Sequence, residues 1–262
     1  MAIRLHPLAV YGLVKELRIA AADQGPIVVA GARGLADVLR KDLGRGGSPG
    51  AVRESGLDGA SAVAYVLAAP PSEEDERVLK QAHRARVPVV CVLAGPELEA
   101  RVPYVLATDV VRVPAGSGFP VEEIARVLAH RLGEGGSSLA ARLPVLRPAV
   151  CDELIERSSR RAGITGAAIF IPGADLPVLT LLQLRLVLRI GAAHGVEIDQ
   201  ERLPEILAVI GSGLLLRAVA RQALTAVPVA GWLVKGAIAY AGTRALGEAA
   251  VRYFEARAST SG

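Results

Sequence analysis

Between residues 27 and 132 short apolar runs alternate with stretches of helical periodicity, and few architectures accept that alternation. The runs lie at 27–32, 62–68 and 87–93, with a further or bent strand over 104–107 and 110–113. They are nearly continuous in Val, Ala, Leu and Ile, as expected of strands covered on both faces. Between them, 35–43, 72–86 and 121–132 carry helical periodicity. Pro70-Pro71 breaks the chain before the second helix, and Ser72 with Asp75 gives that helix a capping-box start. Strands alternating with helices predict a parallel sheet wound by crossover helices.

After residue 132 the pattern changes. Gly133-Glu-Gly-Gly-Ser-Ser138 reads as a linker, and beyond it strand signals fade. Helices are predicted over 143–161, 177–193, 199–226 and 229–256, with Gly195 and Pro228 as breaks. An amphipathic helix is predicted over 7–22. The chain therefore divides into an N-terminal helix (1–25), an α/β domain (26–133), a linker (134–138), an apolar helical bundle (139–256) and a tail (257–262).

Composition narrows the choice of function. Hydrophobic residues make up 52% and charged residues 21%, so disorder is excluded over most of the length. Aromatics are only 3%, so the cores must be built from aliphatics and alanine. Net charge is +4: residues 1–135 balance 16 basic against 16 acidic groups, and the remainder holds 14 against 10. That excess is too weak, and stacking aromatics too scarce, for a nucleic-acid protein. Cys91 and Cys151 lack CxxC spacing and are expected as reduced, buried thiols. The four histidines form no ligand-spaced pair, so neither a metal nor another cofactor is expected. The first residues lack a secretory pattern, which points to the cytoplasm, with association to the inner membrane kept open.

The order of elements over 27–132 resembles a small GTPase-like domain, a P-loop NTPase-like parallel sheet. The groups that hold a nucleotide are missing. A Walker loop counted from Gly31 needs Gly, Lys and Ser or Thr at 36–38, and the sequence has Ala36, Asp37 and Val38. Asp37 places a negative charge where phosphates require a positive one. After the 87–93 strand, where a guanine-reading NKxD belongs, stand Ala94, Gly95, Pro96 and Glu97. Asp58-Gly59 lacks the spacing of a DxxG. Other motifs are weaker: Gly211-Ser212-Gly213 lacks the third glycine of a dinucleotide fingerprint because position 216 is Leu. Glu73 to Glu76 suit the first turn of a helix, and Asp175 suits a helix cap. No catalytic residue is assigned. The alternative enzyme reading is an NTPase with an unconventional loop around residues 31–34.

Further along, Phe170-Ile-Pro-Gly-Ala-Asp-Leu-Pro177, Gln183-Leu-Arg-Leu-Val-Leu-Arg189, Pro228-Val-Ala-Gly-Trp232, Ala241-Gly-Thr-Arg-Ala-Leu-Gly247 and Tyr253-Phe-Glu255 occur in order. This series resembles the YcjF-type, GTPase-associated family of unknown function (domain-of-unknown-function family 697), over roughly residues 150–256. The resemblance implies a helical domain that follows a GTPase domain and is often described as a membrane protein. It brings no catalytic residues.

The helices themselves argue against spanning. The longest stretches of the C-terminal half without a charged residue are 13 residues, at 162–174 and 222–234, and a span needs about 18 or more. Residues 206–234 would span only with Arg217 and Arg221 near mid-bilayer, at about 2.5–3.5 kcal/mol each. An integral inner-membrane protein is the third reading. Two i,i+4 pairs, Arg185/Arg189 and Arg217/Arg221, are candidates for lipid headgroups or a partner. Ala237, Ala241, Ala245 and Ala249 form a candidate helix-packing stripe. The expected function is that of a non-catalytic binding or scaffold module. Its partners would be an unidentified protein, an anionic membrane surface or a second copy of the chain.

Overall fold

The computed structural model describes residues 25–95, 101–114, 116–168, 176–196 and 231–260, and Gly12, Lys15 and Ile19 near the start. The chain forms two compact units, residues 23–150 and residues 151–262 with 1–22.

The first unit is a doubly wound sheet of five parallel strands. In chain order these are β1 (Ile27–Gly31), β2 (Val52–Arg53), β3 (Ala62–Leu67), β4 (Val89–Leu93) and β5 (Val110–Arg112), arranged β2-β1-β3-β4-β5. Every pairing is parallel; Val63 lies opposite Val89 and Tyr65 opposite Cys91. All of β3 and β4 is buried, so the continuous apolar runs report a two-sided cover.

Helix α1 (Arg33–Leu43) and helix α3 (Val121–Leu132) lie on one face, with Ala36, Leu39 and Leu43 of α1 and Ile124, Leu128 and Ala129 of α3 turned inward. Helix α2 (Glu73–Arg84) covers the other face. There Leu79 and Ala82 join Val63, Tyr65, Leu67, Cys91 and Leu93 in one core. The expected capping box is present: Asp75 N–H donates to Ser72 Oγ at 3.2 Å and Ser72 N–H to Asp75 Oδ2 at 2.8 Å.

The glycine-rich stretch expected as a linker is instead part of this unit. Residues Gly133–Gly135 form a 3-10 turn that runs into helix α4 (Gly136–Arg142), and Gly136 and Ser137 are buried. A side chain on Gly136 would come within 3.3 Å of Val150, and Ser48 N–H donates to the Arg142 carbonyl at 2.8 Å. Small residues that make an open linker flexible also allow close packing, and here packing won. Residues 104–107, expected as part of a strand, form loop and 3-10 structure before β5.

The second unit contains helices α5 (Arg147–Ala168, entering from the first unit), α6 (Leu176–Ala193) and α7 (Gly231–Thr260). Gln183 Nε2 donates to Thr243 Oγ1 at 3.3 Å, Leu186 meets Gly247, and Phe254 meets Gly191, so α6 and α7 run parallel. Gly163 meets Gly236 and Tyr240, while Ile155 meets Gly247, so α5 runs antiparallel to α7. Of the predicted 7–22 helix, Gly12, Lys15 and Ile19 are helical and exposed. The helix predicted over 199–226 lies outside the described residues.

Candidate binding surfaces

In an open α/β sheet a ligand site is expected beyond the carboxyl ends of the strands, where the winding reverses. Here that point lies between β1 and β3, and it is tightly closed. Gly31 has φ +105°, and a side chain on it would stand 2.0 Å from the Val66 carbonyl oxygen of β3. The next N–H, from Ala32, donates to that same oxygen at 2.9 Å. Helix α1 then starts at Arg33 with Ala32 as its cap and no side-chain cap bond. The strand-to-helix connection is therefore a single residue. A Walker loop needs several successive residues curled around the phosphates, and this junction has no length for them.

The three diagnostic positions lie in the body of α1, not in a loop. Ala36 is buried against the sheet and Val38 faces solvent. Asp37 is half exposed and pairs with Arg40 of the same helix at 2.9 Å. Asp58-Gly59 sits at the opposite end of the sheet: a side chain on Gly25, before β1, would meet the Gly59 carbonyl at 2.6 Å, and Ser61 Oγ donates to the Gly25 carbonyl at 3.0 Å. Of the positions after β4, Ala94 and Gly95 are described and Pro96 and Glu97 are not.

A polar tie links the sheet to α2. Tyr65, buried on β3, donates to Asp75 Oδ1 at 2.6 Å while the Ser72 hydroxyl donates to Oδ2 at 2.6 Å. Burial works to raise the Asp75 carboxyl. The hydrogen bonds from Ser72 and Tyr65 outweigh it and hold the group below the usual carboxylate range. Burial, then the hydrogen bond to Asp75, pushes the Tyr65 phenol well above its usual value. Cys91 is pushed up to about 12, first by burial and then by the Asp75 charge, so its thiol is neutral and unreactive. Neither Cys91 nor Cys151 is in a disulfide, and both are buried.

Beside the edge strand β5 an open groove of about 790 Å³ is lined by Arg101, Tyr104, Leu106, Val110, Arg112 and Glu123. Tyr104 has φ +65°, a conformation disfavoured for a bulky side chain, and its exposed ring lies 5.7 Å from that of His83. The groove was not legible in the sequence because its floor is the segment expected as a strand.

In the helical unit the candidate residues fall as follows. Arg189 is buried at 8% exposure, and it and Arg185 both hold interactions within the chain. That pair does not present two open guanidinium groups. Arg217 and Arg221 lie outside the described residues. Ala237 is exposed, and Ala241, Ala245 and Ala249 are half-buried. The buried line of α7 instead runs through Gly236, Thr243, Gly247, Ala250 and Phe254. Its steps of three, four and seven residues keep it on one face, whereas a strict step of four drifts off it. Two glycines of α7, Gly236 and Gly247, are therefore contact residues. Gly236 faces Gly163 and Ala167, and Gly247 faces Ile155 and Leu186. The signal that could have found them is the pair Gly163 and Gly166 on α5, spaced for close helix approach.

A second polar tie spans α5 and α7. Glu156 accepts from Arg160 Nε at 2.6 Å, Tyr240 Oη at 2.9 Å and Arg244 Nη1 at 3.3 Å. These bonds, Arg160's first, hold its carboxyl below the ordinary range. Arg244 Nε also donates to Glu248 Oε1 at 3.1 Å.

Among the described residues no helix is long and apolar enough to cross a membrane. Compared with known protein families, with curated proteins and with solved structures, the chain matches none.

Proposed function

We propose that this protein is a non-catalytic binding or scaffold module: a GTPase-like α/β unit without phosphate machinery, joined to a helical unit of YcjF type. The observation that carries this reading is the β1–α1 junction. Its one-residue length and the Ala32 N–H committed to Val66 leave no loop to curl around a triphosphate, and Asp37, paired with Arg40, stands where the motif's lysine would be. Phosphoryl transfer rests on positioning by several parts at once, and this junction supplies none of them. The motif series in the helical half supports the pairing of the two units. The groove beside β5, with its exposed Tyr104 and Leu106, gives the sheet unit a surface for a protein partner.

Calorimetry of the full chain with GTP, GDP and ATP in the presence of magnesium tests the reading. No saturable binding is expected at sub-millimolar nucleotide. A micromolar dissociation constant for any of the three would favour the NTPase with an unconventional loop instead.

A further inference from the structure

Among the described residues, two that are not glycine have a left-handed backbone: Arg86 at φ +58° and Tyr104 at φ +65°. They flank one side chain. Arg86 N–H donates to the His83 carbonyl at 3.1 Å, and the Tyr104 ring lies 5.7 Å from that of His83. At Arg86 the strain belongs to a helix stop. Val87 N–H donates to the Ala82 carbonyl at 3.0 Å, so α2 ends in a Schellman motif with Arg86 at the left-handed position that favours glycine. Arginine at that position costs stability that glycine would not. Backbone strain of this kind concentrates where a side chain serves binding.

The side chains around this point are cationic. Residues 77–96 contain no Asp or Glu, and Lys80, His83, Arg84 and Arg86 among them are exposed. Lys80 and Arg84 stand one turn apart on α2. Neither they nor Arg86 form an ion pair among the described residues. Beside them Tyr104, at 46% exposure, and Leu106, at 59%, line the groove along β5. Acids stand at Glu76, one turn before Lys80, and at Glu123 of the groove lining. The helix macrodipole accounts for cations in the last turn of α2. It does not account for a cation at the position that asks for glycine.

We infer that Lys80, Arg84 and Arg86, with Tyr104 and Leu106 beside them, form a docking surface for an acidic segment of a partner protein. Guanidinium groups take carboxylates through paired, charge-assisted hydrogen bonds. Tyr104 and Leu106 give an apolar contact to the partner side chains between the acids. Single-stranded nucleic acid, the other polyanion, is held by successive bases on several aromatic rings. This surface offers the Tyr104 ring, with His83 already against it. The inference rests on the reading of the chain as a binding module and names the chemistry of its partner.

Fluorescence anisotropy of the full chain with a labelled decapeptide of eight glutamates and two leucines tests it. Saturable binding at sub-millimolar protein is expected, with a decline as salt screens the charge and little binding of the same peptide with glutamine for glutamate. Lys80→Glu with Arg84→Glu should weaken binding about tenfold or more, because attraction becomes repulsion. Lys41→Glu, at an exposed cation of α1 on the other face of the sheet, should leave it unchanged. Arg86→Gly separates binding from folding. It should weaken the acidic peptide about threefold to fivefold and raise the thermal midpoint by about 2–4 °C as the strain is relieved. It also decides the matter if the double variant is unfolded. The inference is overturned by absence of binding, by equal binding of the glutamine peptide, or by an Arg86→Gly variant that binds as wild type or unfolds earlier. A labelled decauridylate that binds more tightly than the acidic peptide would also overturn it, by showing a nucleic-acid surface. Failure of the peptide with continued silence toward GTP, GDP and ATP removes this inference alone, whereas nucleotide binding removes the non-catalytic reading whatever the peptide does.

Discussion

The two units solve the same shortage of aromatic residues in opposite ways. The sheet unit fills both faces of β3 and β4 with Val, Leu and Ala, with Tyr65 and Cys91 among them, and the branched side chains suit a pleated surface. The helical unit brings backbones together, with Gly163 on Gly236 and Gly247 on Ile155, and adds polar ties through Gln183–Thr243 and Glu156. The first arrangement is disturbed most where strand and backbone meet. The second is disturbed by any added volume at its glycines, and the variants below separate the two.

The largest effect is expected at the switch point of the sheet. Gly31→Ala combines a left-handed backbone with an atom placed 2.0 Å from the Val66 oxygen. It should cost roughly 3 kcal/mol or more, read by urea unfolding. A near-neutral result would mean that this junction is looser than described, and the argument against a phosphate loop would weaken with it.

Next comes the tie between β3 and α2. Asp75→Ala removes half of a capping box and leaves the Tyr65 hydroxyl without its acceptor, a loss of about 2 kcal/mol. The charge dependence has a definite sign. Because the native carboxyl titrates lower than in the unfolded chain, its contribution is complete above the ordinary Asp value of 3.8 and is lost as pH falls through the native value. The gap in stability between wild type and Asp75→Asn should be flat from neutral pH to about 5 and should close in more acid solution. A gap that widens with acid would contradict the assignment.

In the helical unit, Gly247→Ala sets a methyl 2.6 Å from Ile155 Cγ1 and should lower stability by about 1–2 kcal/mol through overpacking. The smallest effect has the opposite sign. A side chain on Gly242 meets nothing within 4 Å, so Gly242→Ala should stabilise by about 0.5–1 kcal/mol through helix propensity alone. If both glycine variants move the thermal midpoint the same way, the seam is misplaced.

How well the sequence announced each region follows from the same contrast. Strands β1, β3 and β4 were legible because burial on both faces forces unbroken apolar runs, and α2 because Ser72 and Asp75 carry a local capping signal. Strand β2, only Val52–Arg53, is too short to have a period. The stretch 133–138 misled because glycine and serine look alike whether they form an open linker or a packed helix start. The buried line of α7 was hard to see because it mixes Gly, Thr, Ala and Phe at three- and four-residue steps, which no single residue type marks, whereas a repeat of four alanines is conspicuous in the sequence. The missing phosphate motifs were visible as residues, whereas the closure of the switch point by Val66 depends on pairing across strands. The order β2-β1-β3-β4-β5 belongs to doubly wound sheets at large, and kinship with GTPases stays with the proposal.

The most direct measurement of the central claim is unfolding of the full chain with and without roughly 1 mM GTP and magnesium. A nucleotide held with a dissociation constant near 10 µM would stabilise the native state by about 2.7 kcal/mol at that concentration, enough to raise the thermal midpoint by several degrees for a domain of this size. The account predicts coincident curves, because the β1–α1 junction offers phosphates no place to bind. A midpoint that rises with GTP concentration, and does not rise with an equal concentration of inorganic phosphate, would contradict it.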